Sequence, residues 1–93
     1  MFDSEKSEKI KVLVVDDSLL VRVAATKMLG NDFDVVLAVD GKDGWNTIQN
    51  DEEIQVVFTD LVMPEMDGFE LLQKIRTSKK ESICNLPVIV TTG

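Results

Sequence analysis

The sequence predicts an α/β protein built on a doubly wound parallel sheet, and two patterns support this prediction. Short apolar runs alternate with helix-length segments in the order βαβαβαβ. Strands joined by helix-length crossovers pair in parallel with right-handed connections, and the helices then cover both faces of the sheet. Two of the apolar runs also end in aspartate, at the strand ends where open sheets of this class bind their ligands.

Composition indicates a single globular domain and argues against several classes of function. The chain has 93 residues, of which 44% are hydrophobic and 29% charged, as in ordinary globular proteins. A net charge of −7 argues against a nucleic-acid surface, and no apolar run is long enough to span a membrane. The single cysteine, Cys84, excludes an internal disulfide and fits a cytoplasmic setting. Because histidine is absent, the chain cannot itself carry a phosphohistidine.

The apolar runs and their flanking residues predict the individual elements. Residues 1–9 are polar and are predicted to form a flexible lead-in, which leaves 10–93 as the domain. The predicted strands are 12–15, 33–39, 54–60 and 88–91. The predicted helices are 18–29, 42–50 and 67 to about 79.

Polar residues at the helix starts and the spacing of apolar residues refine these elements. Ser18, Asp40 and Asp67 are the predicted N-caps, and Glu70 suits a capping box with Asp67. The inward-facing residues predicted for the second and third helices are Trp45, Ile48, Phe69, Leu72 and Ile75, with Leu71 beside them. The acidic segment 51–53 and the basic residues at the end of the third helix are predicted to be solvated.

The first helix and the fourth strand are predicted to expose apolar surface. The helix is apolar around most of its circumference, which exceeds the single stripe of a helix that packs on one side. An edge strand at 88–91 would leave backbone N–H and C=O groups unpaired, beside Val88, Ile89 and Val90. We therefore expect the chain to self-associate through its fourth strand.

Three aspartates are predicted to converge at one edge of the sheet. Asp16 and Asp17 follow the first strand, and Asp60 ends the third. If those strands are neighbours, the like charges repel one another unless a cation lies among them. Carboxylates and backbone carbonyls are the ligands that Mg²⁺ prefers. The sequence therefore predicts a metal site, although each acid taken alone would also suit a helix cap or a turn.

Three motifs resemble those of the receiver domain of two-component response regulators. VLVVDDS matches the family's acidic pair, FTDLVMPEMDGFELL its phosphoacceptor segment, and PVIVTTG the hydroxyl-bearing end of its fourth strand. The resemblance covers residues 10–93. It implies a flavodoxin-like sheet with the strand order 2-1-3-4.

The resemblance implies a role for each residue of the acidic edge. Asp60 would accept a phosphoryl group from a sensor histidine kinase or a phosphotransfer protein. Mg²⁺, or Mn²⁺ in its place, would be held by Asp16, Asp17, Asp60 and the backbone carbonyl of Val62. Asp16 would act mostly through a bound water.

The resemblance also implies a hydroxyl that contacts the phosphoryl group. Thr91 and Thr92 both stand near the end of the fourth strand, and Thr92 falls in the family's register when counted from Pro87. Gly93 would be the small residue that follows it. Successive side chains of a strand point to opposite faces, so only one threonine can face Asp60, and we choose Thr92.

The resemblance also implies parts of the domain that this chain lacks. The sequence stops before the family's fourth helix, fifth strand and fifth helix. The fifth strand carries a lysine that contacts the phosphoryl group, and without that fixed positive charge we expect slow phosphorylation even with Mg²⁺.

The implied function is a cytoplasmic signalling module, and three other classes of protein are its alternatives. The module would not be an enzyme acting on other substrates, because it would catalyse only its own phosphorylation and dephosphorylation. A non-phosphorylated interaction module, or an inactive fragment, is the main alternative. Phosphatases and mutases of the aspartyl-phosphate type carry an acid-x-acid pair, whereas Asp16 and Asp17 are adjacent. A nucleotide-binding domain would need a glycine-rich loop after the first strand.

Overall fold

The computed structural model describes residues 9–91 and contains one four-stranded parallel sheet. The strands are β1 (Ile10–Val15), β2 (Phe33–Ala38), β3 (Ile54–Asp60) and β4 (Val88–Thr91). The helices are α1 (Leu19–Leu29), α2 (Gly41–Asn50), α3 (Gly68–Arg76) and α4 (Glu81–Cys84). The strand order is β2-β1-β3-β4, with every neighbouring pair parallel, which confirms the predicted fold class and strand order.

The core is centred on β1, which is flanked by β2 on one side and β3 on the other. The last four residues of β1 are all buried. Leu13 and Val15 face a cluster to which α2 and α3 contribute Ile48, Leu71 and Ile75. A parallel sheet buried in this way reads as a continuous apolar run, and that is the pattern from which the strand was predicted.

The three predicted helix N-caps are confirmed. The Ser18 side chain accepts from the Val21 amide, and the Asp40 side chain accepts from the Asp43 amide. Asp67 forms the predicted capping box, in which its carboxylate accepts from the Glu70 amide at 2.9 Å and the Glu70 carboxylate accepts from the Asp67 amide at 3.0 Å. These bonds satisfy amide groups that a helix start otherwise leaves without a partner.

The inward face predicted for α3 was wrong in part. Leu71 and Ile75 are fully buried, whereas Phe69 is 65% exposed and Leu72 only half-buried. The reason is Gly68, where an added Cβ would lie 2.4 Å from the carbonyl oxygen of Asp60. This close approach turns the Gly68 side of α3 toward the sheet, and residues three and seven positions later share that face.

The end of α3 also differs from the prediction. The helix ends at Arg76 rather than near residue 79, and the short helix α4, which was not predicted, lies between it and β4. Arg76 is not simply solvated, because its Nη1 donates to the carbonyl oxygens of Cys84 at 3.0 Å and Leu86 at 2.6 Å. Arg76 thus ties the end of α3 to the segment that leads into β4.

The acidic segment 51–53 was predicted to be solvated, and this was wrong for Asp51. Its carboxylate accepts a hydrogen bond of 2.9 Å from Nζ of Lys11, and its side chain is only 26% exposed. The hydrogen bond from Lys11 lowers the pKa of Asp51, and the same bond raises the pKa of Lys11. A bond between residues forty positions apart leaves no local signal in the sequence.

Apolar surface is exposed on the side of the sheet that carries α1. None of the α1 residues is buried, and Leu20 and Met28 are 80% and 76% exposed. Beside this helix lies a cavity of about 370 Å³, whose apolar lining residues are Ile10, Val12, Leu29, Phe33, Val56 and Phe58. The predicted exposure of α1 is therefore confirmed.

Within the described residues, β4 is an edge strand and Ile89 is 45% exposed. Self-association through β4 stays a prediction. The predicted lead-in lies outside the described residues apart from Lys9, whose amino group donates to the Gly30 carbonyl at 3.1 Å. Among residues 9–91, no helix has the length and apolar character that crossing a membrane requires.

The Lys11–Asp51 pair predicts a contribution to stability that depends on pH. The lowered pKa of Asp51 stabilises the fold above its unfolded pKa of about 3.9, and this stabilisation is lost as pH falls through the lower folded value. The raised pKa of Lys11 acts in the opposite direction, so its contribution is lost above about pH 10.5. We expect Lys11→Met to cost up to about 1 kcal/mol at pH 7, measured by urea unfolding, and clearly less at about pH 3.

Lys80→Met provides the matched control, because Lys80 lies 3.6 Å from Glu52 in a pair whose side chains are both more than half exposed. It should change the free energy of unfolding little at any pH. A Lys11→Met effect of the same size at about pH 3 and pH 7 would contradict the assignment to Asp51.

Candidate functional site

Three carboxylates meet at the carboxyl edge of the sheet, as the sequence predicted. One carboxylate oxygen from each of Asp16, Asp17 and Asp60 lies within 4.8 Å of the other two. The parallel pairing of β1 with β3 causes this, because Val15 stands opposite Thr59 and the residues that follow emerge at the same edge. The structure therefore brings these acids together, while their roles as metal ligands stay predictions.

Asp16 is the most constrained of the three acids. It is buried, and its amide donates to the carbonyl of Ala38 at 3.1 Å, which extends the β1–β2 ladder by one residue. Its Oδ1 accepts from the Ser18 amide at 2.9 Å, and its carbonyl oxygen accepts from Nη1 of Arg22 at 2.8 Å. Backbone and side chain are thus held from three directions.

Asp60 is half-buried and is held on one side only. Its Oδ1 accepts from the Leu61 amide at 2.8 Å, and that amide also donates to the carbonyl of Thr91 at 3.1 Å. Its carbonyl oxygen accepts from the Thr59 hydroxyl at 3.0 Å. Among the described residues no hydrogen bond is made to Oδ2 of Asp60, so this oxygen remains open to a ligand.

Asp17 differs from both neighbours in the cluster. It is exposed, and its side chain forms no hydrogen bond or ion pair with the residues at 9–91. Its position at the cluster is therefore set by the backbone on either side of it. An acid of this kind can turn fully toward a bound ion without giving up a partner in the protein.

The loop between β3 and α3 carries Val62, the predicted carbonyl ligand. The Val62 side chain is 77% exposed, whereas that of the next residue, Met63, is buried and anchors the loop. At the far end of the loop the Gly68 amide donates to the carbonyl of Leu61 at 2.8 Å. The loop is thus closed on itself beside Asp60, and metal contact by the Val62 carbonyl stays a prediction.

A second contact attaches this loop to the start of α2. The Gly41 amide donates to the carbonyl of Met66 at 3.1 Å, and a Cβ at Gly41 would lie 2.1 Å from that oxygen. A glycine is required here because the two backbones touch. Glu65, in the same loop, adopts a positive φ of 70°, which is uncommon for a residue other than glycine. The loop conformation is therefore defined by packing against α2.

Of the two threonines that are candidates for the hydroxyl contact, only Thr91 lies within the described residues. Thr91 stands opposite Asp60 in the β3–β4 register, and its hydroxyl donates to the carbonyl of Thr59 at 3.4 Å. Thr92, the predicted choice, lies outside the described residues, as does Gly93. The assignment of Thr92 stays a prediction.

The donor set of the cluster fits a hard divalent cation. It consists of carboxylate oxygens, and no ion pair within residues 9–91 joins any of the three acids to a basic side chain. No described lysine or arginine therefore forms an ion pair that would offset the repulsion between the three carboxylates. Mg²⁺ prefers oxygen ligands of this kind, whereas zinc and copper prefer sites with nitrogen and sulfur ligands.

Sequence reasoning missed Arg22 as a residue of this site. It binds the backbone of Asp16 from the first turn of α1. The available signal was a charged residue within a stretch of apolar ones, LLVRVAATKML, close after the paired acids. That signal did not show which group the arginine would bind.

Comparisons with known proteins agree on one family. The sequence model of the response regulator receiver domain matches residues 12–93. The chain is 40% identical over 86 residues to a chemotaxis protein CheY homolog of Campylobacter jejuni, covering 89% of this chain and 64% of that protein. It is 34% identical over 83 residues to a two-component response regulator of Oryza sativa, covering 88% of this chain and 62% of that protein. The chain thus spans less than two thirds of the length of these relatives.

Solved structures show the same fold. The structure of a response regulator receiver protein from Pseudomonas putida superposes with a TM-score of 0.83 at 29% identity, covering 95% of this chain and 71% of that one. The N-terminal domain of a receiver protein from Methanoculleus marisnigri gives a TM-score of 0.78 at 27% identity, covering 86% and 63%. Both neighbours support the flavodoxin-like assignment of the sheet.

The acidic cluster predicts that Mg²⁺ stabilises the folded chain. A ligand that binds only the folded state at ten times its dissociation constant adds about 1.4 kcal/mol, and 1 kcal/mol raises the melting temperature of a domain this small by about 4–8 °C. We expect a rise of this order in millimolar MgCl₂, measured by circular dichroism at low salt, and no rise in Asp17→Asn.

Asp32→Asn is the matched control, because its substitution removes the same charge. Asp32 directly precedes β2, so it lies at the amino ends of the strands, whereas the acidic cluster lies at their carboxyl ends. This variant should keep the full response to Mg²⁺. If the melting temperature of the unsubstituted protein is the same with and without Mg²⁺, the metal assignment is refuted.

Proposed function

The chain belongs to the response regulator receiver family, and we propose that it is a phosphoacceptor module of a two-component signalling system. In this proposal Asp60 takes a phosphoryl group from a phosphohistidine on a separate sensor kinase or phosphotransfer protein, in a reaction that needs Mg²⁺. The observation that carries the proposal is the convergence of Asp16, Asp17 and Asp60 within 4.8 Å at one edge of a receiver fold.

The surroundings of Asp60 support its role as the nucleophile. The Leu61 amide orients the carboxylate through Oδ1, which leaves Oδ2 for the incoming phosphorus. In the transfer an Oδ2–P bond forms as the N–P bond of the phosphohistidine breaks, and the electron pair of that bond returns to the imidazole nitrogen. The product is an acyl phosphate on Asp60.

The different environments of the other two acids support different contacts with the metal. Asp16 is buried and one of its oxygens is committed to Ser18, which favours contact through a water. Asp17 is exposed and has no described partner, which favours direct contact, together with Asp60 and the carbonyl of Val62. A bound Mg²⁺ or Mn²⁺ supplies positive charge opposite the charge that develops on the phosphoryl oxygens.

The end of β4 is well placed to respond to the modification. The Leu61 amide joins Oδ1 of Asp60 to the carbonyl of Thr91, so the acceptor and β4 share one donor. Phosphorylation adds nearly two negative charges and three acceptor oxygens beside this bond, which is enough to bias a two-state element. Thr92 is our candidate for the hydroxyl that contacts the phosphoryl oxygen.

The proposed module catalyses only its own phosphorylation and dephosphorylation and acts on no other substrate. Its partners would be the phosphohistidine donor and a downstream target that distinguishes the two states. The cytoplasmic setting expected from the sequence stays a prediction.

The proposal predicts a single phosphorylation at Asp60. We expect acetyl phosphate with Mg²⁺ to add the mass of one phosphoryl group, measured by intact-protein mass spectrometry, and the added mass to be removed by hydroxylamine as an acyl phosphate. EDTA should prevent the reaction, because the three acids then lack the cation that offsets their repulsion.

Asp60→Asn should abolish the mass increase, and Asp67→Asn is the matched control. Asp67 lies in the same loop and caps α3, a role that asparagine fills well. A folded, Mg²⁺-binding protein that gains no mass would favour the alternative of a non-phosphorylated interaction module.

A further inference from the structure

We propose that Arg22 is a positioning residue of the acidic site, which holds the peptide group between Asp16 and Asp17 and thereby directs the Asp17 side chain. This inference rests on the proposed function, because it concerns how the same site binds its metal.

The contact that supports the proposal is a charge-assisted hydrogen bond to backbone. Nη1 of Arg22 lies 2.8 Å from the carbonyl oxygen of Asp16, in a partly buried position. Hydrogen bonds from an ionised donor are shorter and roughly twice as strong as neutral ones. The side chain reaches back across the turn between β1 and α1, in a helix that has no buried residue. Arg22 therefore links α1 to the backbone of the acidic site by a hydrogen bond.

Arg22 holds the peptide group that immediately precedes Asp17. The carbonyl of Asp16 and the amide of Asp17 belong to one planar peptide group, so a hydrogen bond to the oxygen restrains the rotation of that plane. Asp16 itself is held at its amide by Ala38 and at its carboxylate by Ser18. The Asp17 side chain has no described partner of its own, so the two peptide groups that flank it position it, one held by Arg22 and the other by the bond from the Ser18 amide to Asp16.

Arg22 affects a bound cation in two opposite ways. Its positive charge lies near the three carboxylates, so it should weaken binding of Mg²⁺ by repulsion. Its hold on the peptide plane should strengthen binding by keeping Asp17 in place. We expect positioning to dominate, because dissolved salt weakens the repulsion between charges, whereas it does not restore a misdirected ligand.

The chain offers a matched control in Arg76. This arginine also donates through Nη1 to backbone carbonyls, those of Cys84 and Leu86. These residues precede β4, so the contact lies at the amino ends of the strands, away from the acidic site. Arg22→Met and Arg76→Met remove the same side chain, the same charge and the same kind of bond. Both should lower the melting temperature, so a difference between them in metal binding reports on the site rather than on general stability.

The experiment combines calorimetry with relaxation of the backbone amides. We expect Arg22→Met to weaken Mg²⁺ binding by about 10-fold in isothermal titration at about 0.15 M salt, the effect typical of losing a group that orients a metal ligand. In the metal-free protein, ¹⁵N relaxation should show increased mobility at the Asp17 amide. Arg76→Met should leave both quantities unchanged, and Arg22→Lys, which keeps the charge and one donor, should fall between.

Several outcomes would overturn the proposal. Tighter Mg²⁺ binding in Arg22→Met would show that the charge of Arg22 outweighs any positioning, and unchanged binding would show that Arg22 does not strengthen binding. If Arg22→Met does not fold, Arg22→Lys decides, and unaltered Mg²⁺ binding and amide mobility in that variant would overturn the role. If the unsubstituted protein binds no Mg²⁺, the proposed function fails, and the mobility of the Asp17 amide in the metal-free variants still tests Arg22 separately.

Discussion

The parallel pairing of β1 with β3 is the constraint on which the rest of this structure depends. It places Val15 opposite Thr59, so that the chain leaves both strands at the same edge and at the same level. Three carboxylates are gathered there against their mutual repulsion, and the buried apolar residues of β1 provide the stability that opposes it. The most buried strand of the sheet thus leads into acids at its carboxyl end, where open α/β sheets bind their ligands.

Backbone contacts hold the loop beside Asp60, and separate hydrogen bonds hold the acids. Gly68 brings α3 against the carbonyl of Asp60, and Gly41 brings the β3–α3 loop against α2, so two close backbone approaches define the loop beside the acceptor. The acids are then held to different degrees, from the fully engaged Asp16 to the unpartnered Asp17. Under the proposed function, the fixed, the half-held and the adjustable carboxylate would together bind an ion and still admit a phosphoryl group.

Much of this was predictable from the sequence, because the strands and N-caps follow from local patterns and the strand order follows from the resemblance to the receiver family. The failures share one physical cause, which is that they depend on contacts between elements that no local pattern shows. Phe69 looked like a core residue by its apolarity, yet the contact of Gly68 with β3 rotated it outward. Asp51 and Arg76 looked solvated, yet Lys11 and the Leu86 carbonyl hold them. Arg22 was overlooked for the same reason.

The central claim is that three like charges are held together at one edge for a cation, and comparing the stability of Asp60→Asn with that of the unsubstituted protein tests it most directly. Asparagine keeps an oxygen for the Leu61 amide, so the substitution removes mainly the charge. In urea unfolding at low salt with EDTA, the variant should be the more stable protein, because one repulsive charge is gone. With saturating Mg²⁺ the order should reverse, because the unsubstituted site binds the ion more tightly. The same difference in free energy of unfolding under both conditions would contradict the account.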